Sequence, residues 1–302
     1  MWFAPPREIA AVRAFSRLPE ALRHPRRSAW ADANATGAAL HSFLEGPCFD
    51  AAGRLHVVDI PNGRILRLDS PERWEVVAEY EGWPNGMALR PADGALLIAD
   101  YRRGLLALDP GSGRIAPVLE TALTEGFKGL NDLVVHPGDG SVLFTDQGQT
   151  GLQDPTGRVF RLRADGGLDR LIATAPSPNG IALNRAGTHC YVAMTRSSQV
   201  WRFALRPADA MVGKANLFCQ LPGGPAGPDG MAVDAADRLW VTNPGHGIVW
   251  GLDPRGVPVW RADCTGFGLM PTNCCVTPDG ATMLVTESAS GTILAFDIPP
   301  AA

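Results

Sequence analysis

"PSPNGIAL", residues 176–183, reads as a turn running into a strand: a small polar residue, then glycine, then an alternating apolar run. Near-copies stand at 82–89, "GWPNGMAL", and at 226–233, "AGPDGMAV". Aligning the whole chain on the polar residue that opens each run gives six copies, beginning at Glu45, Asn85, Asn131, Asn179, Asp229 and Asn273. Successive starts lie 40 to 50 residues apart. Each copy holds an apolar strand, a tight turn rich in Asp and Gly, and a second apolar strand, as in "NDLVVHPGDGSVLFTD" from Asn131. A third strand follows, as in "GRILRLD", "RGLLALD" or "GTILAFD".

A period of about 45 residues with four strands per copy is the pattern of a β-propeller. The expected fold is therefore all-β: a six-bladed β-propeller with four-stranded blades. The last copy shows only three strands, and a closed ring must hide its sheet edges. An N-terminal strand within 8–44 is expected to complete the sixth blade. The expected organisation is one domain over 1–302, with 1–40 contributing the closing strand. Helical periodicity is nearly absent. Residues 6–23 fit a helix or a strand–turn–strand almost equally well.

Composition narrows the function. The chain has 302 residues, 45% hydrophobic and 19% charged, with a net charge of -4. That balance disfavours nucleic acid, which needs a basic face. The one basic cluster, "RHPRR" at 23–27, reads as a solvated surface segment. No apolar run reaches the ~18 residues that a membrane span needs. The N-terminus lacks the pattern of a secretory signal, so a cytoplasmic location is expected. Six cysteines without CxxC spacing read as reduced, mostly buried small hydrophobes.

The first strand of each blade lines the central channel, so the residue that opens it sits at one mouth. All six openers carry a side-chain oxygen, and two are acids, Glu45 and Asp229. Such a ring suits one hard divalent cation. Ca²⁺ is expected, with Mg²⁺, Mn²⁺ or Zn²⁺ as alternatives; the missing His and thiolate argue against zinc and copper. Second strands return to the same mouth, which puts Asp146 on the rim beside the loop "DQGQTGLQD" (146–154). Asp59 and Asp100, at equivalent strand ends, read as turn caps. Trp83, two residues before Asn85, and His246, in "NPGHG" (243–247), are further rim candidates.

"LEGPCFD", "LNDLVVHPGDGSVLFTD", "SPNGIAL" and "GPDGMAVD" resemble the motifs of the senescence-marker-protein / gluconolactonase / luciferin-regenerating-enzyme family. That family takes in bacterial lactonases and is related in fold to diisopropyl fluorophosphatase. The resemblance covers about residues 40–298. It implies a six-bladed propeller with one divalent ion, usually Ca²⁺, held by Glu45, Asn179 and Asp229. Asn131 matches a residue that binds metal or substrate. Sugar lactonases of the family often carry Arg two residues before that Asn; here the position is Gly129, which leaves room for a less polar lactone.

The expected activity is opening of a lactone ring on a small-molecule substrate. Metal would polarise the carbonyl, with Asp229 as base or nucleophile. Asn131, Asn85, Asn273, Asp146, Trp83 and His246 are the substrate-binding candidates. No GxSxG elbow supports a serine nucleophile. A phosphotriester-type hydrolase on the same site, or a non-catalytic ligand-binding propeller, are the rival readings. A monomer or weak homo-oligomer is expected.

Overall fold

The computed structural model describes residues 4–206 and 212–300, so both ends of the domain span expected over 1–302 lie outside the described residues. Six sheets of mostly antiparallel strands form a ring of blades. Each blade begins at the channel: Leu44–Phe49, Pro84–Leu89, Leu130–Val135, Pro178–Leu183, Met231–Val233 and Pro271–Val276 are the innermost strands. Two more strands of each repeat step outward. In blade three they are Val142–Asp146 and Gly157–Leu162, followed by the outermost strand Leu168–Ala175.

Alternation along these strands sends apolar side chains into the seams between neighbouring blades. One buried cluster joins Leu97 and Ala99 of blade two to Leu133 and Phe144 of blade three. Another joins Leu44 and Val57 of blade one to Leu284 and Ile293 of blade six. The core is thus a ring of apolar wedges around a channel, each shared between neighbouring blades.

The sixth blade is completed from the N-terminus, as expected. Arg13–Arg17 pairs antiparallel with Thr292–Asp297. Arg7–Glu8 adds a short parallel strand to the edge of blade five. The strand–turn–strand reading of 6–23 therefore holds over the helical one. A short helix instead occupies Ala29–Asn34, capped by Ser28, whose Oγ accepts from the Ala31 amide at 3.1 Å. Its Trp30 is buried against the Phe43 ring, 4.6 Å between centroids. The basic cluster beside it is less free than its composition suggested. Arg23 donates to the Leu18 and Ser290 carbonyls at 2.8 Å, and Arg26 donates to Asn62 Oδ1 at 2.7 Å. All six cysteines are free thiols, and five are buried.

Candidate metal centre and active site

Strand register defines two layers of side chains at one mouth of the channel. Leu44, Pro84, Leu130, Pro178 and Pro271 pair with Asp59, Asp100, Asp146, Met194 and Glu287, the last residues of the second strands. The next residue of each innermost strand forms the upper layer: Glu45, Asn85, Asn131, Asn179 and, in blade six, Thr272. In blade five the Asp229 amide donates to the Thr242 carbonyl, which puts Asp229 in the same layer. The sixth opener is therefore Thr272, not Asn273. Thr272 is fully buried, and its hydroxyl donates to the Leu44 carbonyl at 2.8 Å, closing the ring between blades six and one.

The lower layer holds Gly46, Gly86, Asp132, Gly180, Gly230 and Asn273. Glycine prevails there because adjacent strands nearly touch. A Cβ on Gly180 would come within 2.2 Å of the Asp229 carbonyl oxygen, and one on Gly86 within 2.1 Å of Asp132 Oδ1. Asp132 is the exception that the alignment missed. Its signal was an acid standing where four repeats have glycine.

Three acids thus share the mouth. Glu45 and Asp132 are almost wholly buried; Asp229 keeps some solvent access, though protein atoms pack its carboxyl closely. Burial pushes Glu45 up to about 8, and the Asp132 charge adds to this; the Gly46 amide and Asn273 oppose it. Burial likewise pushes Asp132 up to about 7 against the Leu133 and Ile181 amides. Asp229 is raised well above the usual carboxylate range by burial, then by the charges of Glu45 and Asp132; a hydrogen bond from Asn179 and the Arg196 charge pull the other way. None of the three forms a salt bridge among the described residues.

Hydrogen bonds orient the oxygens. Glu45 Oε2 accepts from the Gly46 amide at 2.6 Å and from Asn273 Nδ2 at 2.8 Å, which leaves Oε1 uncommitted. Asn131 Nδ2 donates to Gln147 Oε1 at 2.9 Å, and Gln147 Nε2 donates to Ser177 Oγ at 3.0 Å. That relay fixes the Asn131 amide with its oxygen free. The donor set is all oxygen, with surplus negative charge and no internal counter-ion in contact, and it fits a hard divalent cation. Among the described residues no three His, Cys, Asp or Glu side chains form a metal-binding group by themselves. A cation here would draw on the amides of Asn131 and Asn179 as much as on Glu45 and Asp229.

The remaining candidates divide. Asn273 is committed at both ends of its amide, to Glu45 and to the Cys274 amide. Asp146 is fully buried, accepts from the Gly129 amide at 2.9 Å and is ion-paired with Arg158, so it fastens strands instead of facing a substrate. Asp100 caps its turn through the Arg102 and Arg103 amides, both at 2.8 Å. His246 bonds the Gly223 carbonyl at 2.8 Å and ties one rim loop to another. Asn85 lies in the upper layer with no side-chain hydrogen bond among the described residues. Trp83 stands on the rim against Tyr101, 5.4 Å between ring centroids.

Tyr101 also explains Gly129. A Cβ at Gly129 would fall 2.5 Å from the Tyr101 ring, so this fold has no room for an arginine there. Beside the mouth lies a polar cavity of about 360 Å³, lined by Asn34, Gln147, Gln149, Gln153, Ser177 and Arg196 among others. Asn34 comes from the short helix, which sequence periodicity did not suggest. The opposite end of the channel opens into a larger cavity of about 1070 Å³, lined by Leu89, Val135, Leu183, Val233 and Val276; its inner end reaches Asp132 and Asn273.

Known proteins share this arrangement of blades. The structure of a gluconolactonase from Xanthomonas campestris superposes with a TM-score of 0.75 at 23% identity, covering 97% of this chain and 99% of that one. Regucalcin from Agrobacterium tumefaciens, described as a calcium-binding protein, also gives a TM-score of 0.75 at 23% identity, covering 97% and 95%. At those identities the likeness is one of fold. In sequence, the gluconolactonase of Zymomonas mobilis is 30% identical over 284 residues, 82% of this chain and 76% of that protein. Pentonolactonase XacC of Haloferax volcanii is 28% identical over 220 residues, 72% of each. Residues 43–289 match the SMP-30/Gluconolactonase/LRE-like region, and the chain belongs to that family.

Proposed function

We propose that the protein hydrolyses a lactone with the help of one divalent cation, most simply Ca²⁺, held by Glu45, Asn131, Asn179 and Asp229. The observation that carries this reading is the nearness of Glu45 and Asp229, from blades one and five: the Glu45 charge raises the proton affinity of Asp229, and the Asp132 charge raises both. Two lactone-hydrolysing relatives by name, the gluconolactonase and the pentonolactonase, support the substrate class. The calcium-binding neighbour of the same fold supports the cation.

A bound cation would polarise the lactone carbonyl and offset charge on its oxygen. The chain's own residues do the rest. Asp229 accepts a proton from the attacking water, as a carboxylate of raised affinity next to the reacting centre. Asn179 stands beside the Asp229 carboxyl and favours its ionised form. Asn131, steadied by Gln147, presents its amide oxygen to cation or ring substituent. Asn85 offers a further polar contact, and Trp83 with Tyr101 screens one side of the mouth from bulk water.

The test is acid release from sugar, aliphatic and aromatic lactones, with Ca²⁺, Mg²⁺, Mn²⁺, Zn²⁺ or chelator. Turnover that chelator stops and one cation restores is the expected result. A phosphotriester accepted in place of every lactone would reassign the chemistry. No turnover under any condition would leave a ligand-binding propeller. A single turnover in ¹⁸O water should put the label in the product, and label first found on Asp229 would make that residue the nucleophile.

A further inference from the structure

We infer that the cavity beside this mouth is built for a lactone that carries a carboxylate, and that Arg196 is the side chain that recognises it. The inference rests on the lactonase reading above and specifies its substrate class. Arg196 sits on the short 3-10 turn Thr195–Ser197, immediately after the second strand of blade four. That turn is fixed. Thr195 Oγ1 donates to the Pro228 carbonyl at 2.9 Å, and the Thr195 amide donates to the Ser177 carbonyl at 3.0 Å. The Thr195 carbonyl packs so tightly on Gly227 that a Cβ there would come within 2.0 Å of it. The Arg196 backbone is thereby locked against the segment that leads into Asp229.

The guanidinium itself is uncommitted. Arg196 is exposed, and among the described residues it forms no salt bridge and no hydrogen bond. Among the described residues it is also the one charged side chain in the lining of the 360 Å³ cavity, whose other polar members are amides and hydroxyls. Amides and hydroxyls pair with sugar-type hydroxyl groups; a planar guanidinium with free donors pairs with an oxyanion, often through two parallel hydrogen bonds. Charge balance points the same way. Any ionised carboxyl among Glu45, Asp132 and Asp229 would repel an anionic substrate. A neutral lactone needs no further cation at this spot, whereas a carboxylated one does.

The experiment compares D-glucono-1,4-lactone with D-glucaro-1,4-lactone, which differ by a carboxylate at one end, in the wild type, Arg196→Gln and Arg196→Lys. The wild type should favour the carboxylated ring. Arg196→Gln should cut kcat/KM for that ring ~10–100-fold more than for the neutral one, the size expected of a charge-assisted hydrogen bond, and mainly through KM. Arg196→Lys should recover part of the preference, and added salt should weaken it. Equal losses on both lactones would make Arg196 a counter-ion for Asp229 and overturn the inference. So would a wild type that prefers the neutral ring. If the wild type opens neither lactone, the lactonase reading has failed separately. Calorimetric affinities of the same two lactones for wild type and Arg196→Gln then decide whether the cavity selects the carboxylate.

Discussion

Glu45, Asp132 and Asp229 share a volume from which water is largely excluded, and their proton affinities follow from that crowding. Folded and cation-free, Glu45 and Asp132 hold protons up to about 8 and about 7. Unfolded, they release them near the ordinary carboxyl value of about 4. The native state then binds more protons than the unfolded one across this window, so stability is greatest at its acid end and falls as pH rises, by up to ~1.4 kcal/mol per pH unit for each carboxyl. Chelator-treated protein should unfold at progressively lower temperature from pH 5 to pH 8.5, and millimolar Ca²⁺ should flatten the trend. A midpoint that rises with pH in chelator would contradict the crowding. Substitution separates stability from function here. Asp229→Asn should raise the cation-free midpoint at pH 8 while lowering lactone turnover at least ~100-fold, the scale of a lost general base. Glu45→Gln should weaken cation affinity, read by titration, with a smaller effect on turnover at saturating cation. An Asp229→Asn enzyme of full activity would remove that residue from the chemistry.

The innermost strands show why one residue of register matters so much. Successive side chains on a strand point to opposite faces, so a shift by one exchanges the two layers. Aligning on polar character placed Asn273 with Asn131, yet pairing of Pro271 with Glu287 makes Thr272 the equivalent. The repeat period, the blade count and five of the six upper positions were legible: Asn-Gly or Asp-Gly before an alternating run marks Asn85, Asn179 and Asp229, and the period carries the reading to Glu45 and Asn131. Asp132 was not, since its meaning appears only when its register partners prove to be glycines. Gln147 and Asn34 act through contacts across 16 and 115 residues of chain, which no local pattern carries. Both kinds of feature can be tested on the strands themselves. Gly86→Ala should destabilise by ~1–3 kcal/mol in urea unfolding, because its Cβ would lie 2.1 Å from Asp132 Oδ1 and 2.7 Å from the Asp132 Cα. An alanine there without cost would mean that the strands stand farther apart. Gln147→Ala frees the Asn131 amide to turn, so it should lower both cation affinity and turnover while leaving the unfolding midpoint within about 2 °C, as a half-buried relay worth ~0.5–1 kcal/mol would.

Around the whole ring, two links besides the seam of blades six and one join ends far apart in the chain. One is covalently silent: Arg13–Arg17 lies along Thr292–Asp297, and the Leu18 amide donates to the Gly291 carbonyl at 2.9 Å. The other is the mouth, where Glu45, Asn131, Asn179 and Asp229 of blades one, three, four and five share one layer of side chains. A cation bound there, as proposed, would act as a brace across the channel and would stabilise the folded ring by mass action alone. At a hundredfold excess over its dissociation constant the gain is ~2.7 kcal/mol. For a chain of this size each kcal/mol shifts the midpoint by roughly 2–4 °C or somewhat less, so a rise of several degrees is expected. The two links should be separable. Deleting the residues up to Arg17 exposes the edge of Thr292–Asp297 and lowers the midpoint, but it leaves the mouth residues in place. The shortened protein should start from a lower midpoint and still gain a comparable number of degrees from Ca²⁺. Glu45→Gln should do the reverse, keeping the starting midpoint or raising it and losing the gain. A truncation that abolishes the Ca²⁺ response while circular dichroism still reports an intact β fold would show that the brace needs the closing strand, and that the mouth is assembled only as the ring shuts.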